Sequence, residues 1–262
     1  MKTSVLSTFS LEGKVALVTG GGGLYGTQIA LALAEAGAIT YVTTRDEAKL
    51  AELEQMYHEL GCTVKAAVLD QSSEASMLRL RDRMMAEAGR VDILVNNAVE
   101  RVGVEWDSPA ELFAKSMEVN ATGLFLMTRT FGDVMKEQGG GSIVNIGSIQ
   151  GVIGPDASLY EGLSFHGFAP DYFFHKGGML NFTRFTASYY GPYHVRCNCI
   201  DAGGVKSERT PDVFVERYSA RTFLGRMANA EDLKGAIVFL ASDASAYVTG
   251  ANLAVDGGYT AK

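Results

Sequence analysis

Tyr172 and Lys176, in the run Tyr-Phe-Phe-His-Lys, carry the clearest chemical content in this 262-residue chain. A four-residue separation puts both on one helix face about one turn apart, so an ammonium stands beside a phenol. In a partly dry cleft that cation favours the phenolate, which makes the tyrosine a candidate for moving a proton. Ser148 is a second candidate by position. It follows the strand-like run Ser142 to Ile146 and Gly147, and polar residues at the carboxyl ends of parallel strands are where such sheets bind ligands. The four consecutive glycines Gly20 to Gly23 are a third feature, since glycine lets backbone approach a phosphate closely.

These groups need elements to position them. Val15 to Val18 form a short continuous apolar run, as expected of a parallel strand buried on both faces. From Leu24 onward Ile29, Ala30, Leu33 and Ala34 recur at helical spacing, and Gly37 closes the segment as a helix C-cap would. Strand, glycine turn and helix together make an anion site, because the free N–H groups at the helix start favour a pyrophosphate. The alternation continues. Strands are predicted over 38–43, 63–69, 91–95, 142–146, 195–200 and 250–256, and helices over 45–60, 73–88 and 226–241. A long helix is predicted over 109–135, with Asn120, a poor helix-interior residue, in its middle, and another opens at Tyr172. The expected architecture is a single-domain α/β Rossmann fold spanning 1–262, a doubly wound parallel sheet of about seven strands flanked by helices.

The end of the second strand bears on cofactor choice. An acid there binds a ribose 2′-hydroxyl, whereas a basic residue accommodates a 2′-phosphate. Thr44 stands in the acid's place and Arg45 follows it, so NADP(H) is favoured, with NAD(H) as the alternative. The competing reading makes Arg45 a solvated residue at a helix start. Asp70, read from its neighbours alone, is an acid in a helix N-cap region.

Thr19-Gly20-x-x-x-Leu24-x-Gly26, Asn96-Asn97-Ala98-Val99, Asn120, Ser148 and Tyr172-x-x-x-Lys176 occur here in one order, with a C-terminal FLASDASAYVTGANLAVDGGYT. In these motifs the chain resembles the short-chain dehydrogenase/reductase family over essentially residues 10–260. Three positions depart from the family pattern. Leu24 stands for the middle glycine of the turn, Val99 for the glycine of Asn-Asn-Ala-Gly, and Ala202 for a proline before Gly203. Gly23 is expected to supply the freedom that Leu24 lacks.

The resemblance implies an NAD(P)(H)-dependent oxidoreductase interconverting a secondary alcohol and a ketone. Tyr172 would be the general acid or base, Ser148 would hold the substrate oxygen, Lys176 would bind the nicotinamide ribose, and Asn120 would order a relay water. It also implies a cofactor site built from Gly20, Gly22, Gly23, Leu24, Tyr25, Gly26, Thr44, Arg45, Asp70, Gln71, Asn97, Ala98, Val99, Tyr172, Lys176, Ala202, Gly203 and Val205. The stretches SYYGPYHVRCNCI and VFVERYSARTFLGRMANAEDLKGAIVFLASDASAYVTG are most similar to members acting on sugars, sugar acids or related polyols. Assembly into a homo-oligomer, a tetramer or dimer, is implied by resemblance alone.

Two segments, near 149–171 and 204–224, are expected to cover the substrate. The first carries Tyr160, Phe165, His166 and Phe168; the second interleaves Lys206, Arg209, Arg217 and Arg221 with acids and suits a mobile lid. That interleaving offers no basic cluster for an acyl carrier, which weighs against the alternative of a 3-oxoacyl thioester reductase. An alternative of another class is a non-catalytic dinucleotide-binding scaffold, for which Leu24, Val99 and Ala202 speak.

Composition narrows the partners. A formal charge of −7 disfavours nonspecific attraction to nucleic acid or anionic lipid, and 47% hydrophobic with 20% charged residues describes an ordinary globular chain. No membrane segment or leader is read in MKTSVLSTFSLEGK, so a cytoplasmic location and a small-molecule substrate are expected. Cys62, Cys197 and Cys199 suit neither a disulfide framework nor a zinc site, and His58, His166, His175 and His194 have no ligand spacing, so no metal is expected.

Overall fold

The computed structural model describes residues 4–164 and 169–262. Phe165, His166 and Phe168 therefore lie outside the described residues. Seven strands, β1 (Val15–Val18), β2 (Ile39–Thr44), β3 (Lys65–Val68), β4 (Ile93–Asn96), β5 (Gly141–Ile146), β6 (Val195–Ala202) and β7 (Asn252–Val255), pair in the order β3-β2-β1-β4-β5-β6-β7. Every pairing is parallel. This is the doubly wound Rossmann arrangement expected. The order reverses between β1 and β4, and the crevice at that reversal is where such sheets hold ligands.

The apolar run of β1 shows why both faces are covered. Side chains alternate across a strand, so Ala16 and Val18 enter one core while Val15 and Leu17 enter the other. The first core lies under α1 (Leu24–Glu35), α2 (Leu50–Glu59) and α9 (Lys234–Ala241), which contribute Ile29, Leu33, Leu53, Tyr57, Ile237 and Leu240. The second lies under α3 (Glu74–Ala88), α5 (Leu124–Gln138) and α7 (Pro170–Tyr190), with Met77, Met84, Met127, Phe131 and Tyr190. Each fully buried side chain of this size stabilises the fold by about 1.5–3 kcal/mol, so the sheet is a rigid base for its strand ends.

Three predicted helices differ from those observed. The helix expected over 45–60 begins at Leu50, because the Asp46 carboxylate accepts from the Ala48 N–H and holds Glu47–Lys49 as a 3-10 turn. The helix expected from Arg226 starts later. Asn229 and Asp232 form a reciprocal capping box that opens the 3-10 turn Ala230–Leu233 before α9, a signal available in the sequence. The long helix over 109–135 is α4 (Ala110–Met117) and α5 joined by a π-helix at Glu118–Gly123, with Asn120 inside it. The stretch from Ile149 onward, read as irregular, contains the short α6 (Ile149–Val152) and a 3-10 turn at Ala157–Leu159. The lid segment contains α8 (Asp212–Ser219).

Candidate active site

The strand ends open into one cleft of about 1200 Å³, above the ~300–1,000 Å³ of a pocket for a single drug-sized ligand. Every residue expected to bind a cofactor lines it, as do Ser148, Tyr172 and Lys176; Asn120 does not.

At the β1 end the left-handed residue of the turn is Gly20, at φ +67°. A Cβ on Gly26 would stand 2.1 Å from the Gly20 carbonyl oxygen, so turn and helix touch and only glycine fits. Gly23 has ordinary extended φ −82° and Leu24 is the first residue of α1. The expectation that Gly23 supplies special freedom is therefore corrected, since neither position needs it. Leu24 keeps the helix start intact and leaves its side chain half exposed at the cleft.

The asparagine pair is structural, as buried amides require. Asn97 donates its side-chain N–H to the carbonyls of Thr19 (2.9 Å) and Gly20 (3.1 Å), and the Thr19 hydroxyl accepts from the backbone of Asn97 and Ala98. Asn96 donates to Asn145 and Thr128. These bonds stitch the glycine turn to β4, and Val99 follows at the cleft wall.

At the end of β2, Arg45 is neither fully solvated nor unpartnered: it forms an ion pair with Glu100, a residue the sequence reading missed. Its side chain remains 70% exposed. Asp70 is not a helix cap, because Ser73 caps α3. Its carboxylate instead accepts from the Ser72 hydroxyl (2.6 Å) and backbone N–H (2.9 Å), bonds that hold it below the usual carboxylate range.

In the other half of the cleft, Ser148 is buried as the N-cap of α6, where its oxygen accepts from Gln150 N–H at 3.2 Å. That leaves the hydroxyl proton for a substrate oxygen. Lys176 is buried and donates to the Ile146 carbonyl at 2.6 Å, with its ammonium 5.6 Å from the centre of the Tyr172 ring. His175 packs edge-on to the same ring at 5.1 Å, and burial, then the charges of Lys176 and Arg101, push its imidazole down to about 3. Over the ring, 4.6 Å from its centre, stands the guanidinium carbon of Arg101, also missed from sequence.

Asn120 sits one layer behind. Its side chain accepts from Glu100 N–H (2.9 Å) and donates to the Glu100 carbonyl (2.9 Å) and the Ser116 hydroxyl (3.0 Å). Ser116 in turn donates to Asp171, which precedes Tyr172.

The two covering segments brace one another. Arg221 pairs with Asp156 and bonds the Ser158 hydroxyl, and Arg217 donates to the Glu161 carbonyl at 2.7 Å. Ile149, Leu159, Phe214, Tyr218, Met227 and Tyr259 pack beneath them. The second segment is thus a fastened roof rather than the loose lid its composition suggested.

Cys197 and Cys199 are buried, and burial raises the Cys197 thiol to about 12, which makes it inert core. Among the described residues no group of three or more His, Cys, Asp or Glu side chains could hold a metal ion. No described helix is long and apolar enough to cross a membrane.

Residues 25–260 match the family described as enoyl-(acyl carrier protein) reductase. The chain is 34% identical over 261 residues to a galactitol 2-dehydrogenase (L-tagatose-forming) of Cereibacter sphaeroides, covering 97% of this chain and 98% of that protein. It is 33% identical over 266 residues to a cyclopentanol dehydrogenase of Comamonas sp., covering 95% and 97%. Among solved structures, a gluconate 5-dehydrogenase from Burkholderia cenocepacia in complex with NADP and tartrate superposes with a TM-score of 0.87 at 31% identity, over 99% of this chain and all of that one.

Proposed function

The chain belongs to the short-chain dehydrogenase/reductase family, and from that premise we propose that it interconverts a secondary alcohol and a ketone on a sugar- or polyol-like substrate, with NADP(H) favoured. One observation carries the reading: Ser148, Tyr172 and Lys176 line the same cleft as the Gly20–Gly26 turn, so proton-moving groups and an anion-binding helix start face one space.

The residues present fit a nicotinamide dinucleotide. The backbone cradle at Gly20 and Gly26 has no room for a Cβ, and the first-turn amides of α1 have no intrahelical acceptor, which suits a pyrophosphate. Asp70 and Gln71 would flank the adenosine end, and Arg45 would meet a 2′-phosphate after leaving Glu100. Val99, Ala202, Gly203 and Val205 would flank the nicotinamide end, and Lys176 its ribose. When bound, the nicotinamide accepts or supplies the hydride.

The chain's own residues handle the proton. Ser148 donates its free hydroxyl proton to the substrate oxygen and fixes its position. Tyr172 gives its phenolic proton to that oxygen in reduction and takes it back in oxidation. Lys176 keeps one N–H on the Ile146 carbonyl, which holds its charge beside the phenol. The braced segments contribute Tyr160, Phe214 and Tyr218 to the wall of the cleft. Arg217 and Arg221 are turned inward onto that brace, which leaves them unsuited to an acyl carrier.

Homo-oligomerisation and a cytoplasmic site belong to the same proposal. Phe125, Phe174, Phe185 and Tyr189 project from α5 and α7 as exposed aromatics, a face suited to a second copy of the chain, and all three cysteines are free thiols. Fluorescence titration with NADPH and NADH, followed by turnover of a polyol by the parent and by Tyr172→Phe, tests the reading. Dinucleotide binding by both proteins with turnover by the parent alone is expected; full turnover by Tyr172→Phe removes Tyr172 from its role.

A further inference from the structure

The reaction half of the cleft holds a cation that the mechanism above does not use. Arg101 comes five residues after the end of β4 and is exposed at the cleft, against the ring of Tyr172. Other arginines around this region are committed: Arg45 to Glu100, Arg221 to Asp156, Arg226 to Asp232, and Arg217 to backbone carbonyls. Among the described residues Arg101 has no carboxylate and no carbonyl partner; its guanidinium lies on the aromatic face of Tyr172, with its charge also acting on His175 and Tyr160.

The surroundings have a consistent chemistry. Ser148, Gln150 and Thr210 place hydroxyl and amide groups at the cleft wall, and Lys176 adds a second positive charge. The acids that line the cleft stand elsewhere. Glu100 reaches toward Arg45 at the end of β2; Asp70 closes on Ser72; Glu118 precedes Val119, whose carbonyl accepts from Gln71 at the adenosine end; Glu52 lies on α2. Among the described residues a ligand at Tyr172 therefore meets two cations and a row of neutral hydrogen-bonding groups, while the lining carboxylates stand on other parts of the wall.

A planar guanidinium presents paired donors that match a carboxylate, and the aromatic face holds the group until a stronger acceptor arrives. We propose that Arg101 is a specificity-determining residue that binds a carboxylate on the substrate, so that this site takes a polyhydroxy acid in preference to the neutral polyol of the same skeleton. The inference rests on the alcohol–ketone reading above and narrows its substrate class. The carboxylate lies a few carbons from the carbon whose oxygen Tyr172 serves. Asn120 sets the register, since it grips both backbone groups of Glu100, the residue before Arg101.

Gluconate and glucitol share a six-carbon polyhydroxyl skeleton and differ in the carboxylate, which makes them the probe pair. Calorimetric binding of each to Tyr172→Phe loaded with NADPH requires no turnover. Gluconate is expected to bind at least tenfold tighter than glucitol; adding Arg101→Gln erases that difference through gluconate alone, and Arg101→Lys restores part of it. Equal binding of the two probes, or an equal loss for both in Arg101→Gln, overturns the proposal, the second result placing Arg101 on Tyr172 instead of on the substrate. Gluconate 6-phosphate, bound tighter than gluconate and lost in step with Arg101, would overturn the carboxylate in favour of a phosphate. Failure of the parent protein to turn over any alcohol, with these binding differences intact, sinks the alcohol–ketone reading and leaves the carboxylate site standing.

Discussion

The Tyr25 hydroxyl donates to the carbonyl of Gly203 at 2.8 Å, tying the start of α1 to the loop that leaves β6. Two of the three departures from the family pattern meet in this bond. Ala202 lacks the conformational restriction of a proline, and the tether from the residue after Leu24 limits the same loop. Burial and the neighbouring Tyr218 and Tyr172 keep the Tyr25 phenol protonated, so the donor is permanent.

Tyr25→Phe removes the donor and leaves the Gly203 carbonyl without it. A lost bond to a partly buried carbonyl costs about 1–3 kcal/mol. Because Gly203 and Val205 line the cleft, the variant is expected to bind NADPH several-fold more weakly with kcat nearly unchanged. Unaltered affinity in a fluorescence titration would remove the tether from cofactor binding.

On the proposed NADP(H) reading, Glu100 would compete with a 2′-phosphate for the Arg45 guanidinium. An exposed pair of this kind contributes about 0.2–1 kcal/mol, so releasing Arg45 changes affinity by up to about fivefold. Glu100→Gln is expected to bind NADPH up to about fivefold tighter while NADH is unchanged. Arg45→Gln is expected to lose the preference for NADPH. A Glu100→Gln variant that gains equally for both dinucleotides would show that Glu100 repels the pyrophosphate and has no part in selecting the 2′ group.

These charges explain what the sequence conceals. The continuous run of β1, the glycine turn and the four-residue Tyr172–Lys176 spacing are local patterns, and each is recoverable from neighbours in the chain. Glu100 and Arg101 have no periodicity to betray them. Their roles exist only because β4 brings their segment over the end of β2 and over α7, and Tyr172 is 71 residues further along the chain than Arg101. Likewise the interleaved charges of 204–224 read as a lid until Arg217 and Arg221 are seen turned onto the facing segment.

His175 gives a pH dependence of stability. Burial lowers its folded-state value to about 3, whereas an unfolded histidine titrates near 6.5. Above the unfolded value both states are neutral and nothing is lost. As pH falls from about 6.5 toward 3 the unfolded chain takes up a proton that the folded one refuses, so stability declines across that window. The arithmetic gives about 2 kcal/mol between pH 7 and pH 5 from this residue. Urea unfolding at the two pH values is expected to show that much more acid sensitivity in the parent than in His175→Gln, with identical sensitivity excluding His175 as the source.

The Asn120 side chain is engaged by Glu100 and Ser116. Its grip on both backbone groups of Glu100 fixes where Glu100 and Arg101 stand, and its bond to Ser116 continues to Asp171 beside Tyr172. Asn120→Ala removes the partner of two part-buried backbone groups and of a buried hydroxyl at once. The cost is expected to be about 2–3 kcal/mol, or about 2–4 °C of Tm for each kcal/mol in a chain of this size. Because Arg101 loses its register, KM for a polyhydroxy acid should rise more than KM for a neutral polyol. A water-ordering role alone predicts a fall in kcat that is equal for both substrates, with little change in Tm. Steady-state kinetics on the two substrates with a melting curve separate these outcomes, and the relative rise in KM decides whether Asn120 acts through the chain segment it holds.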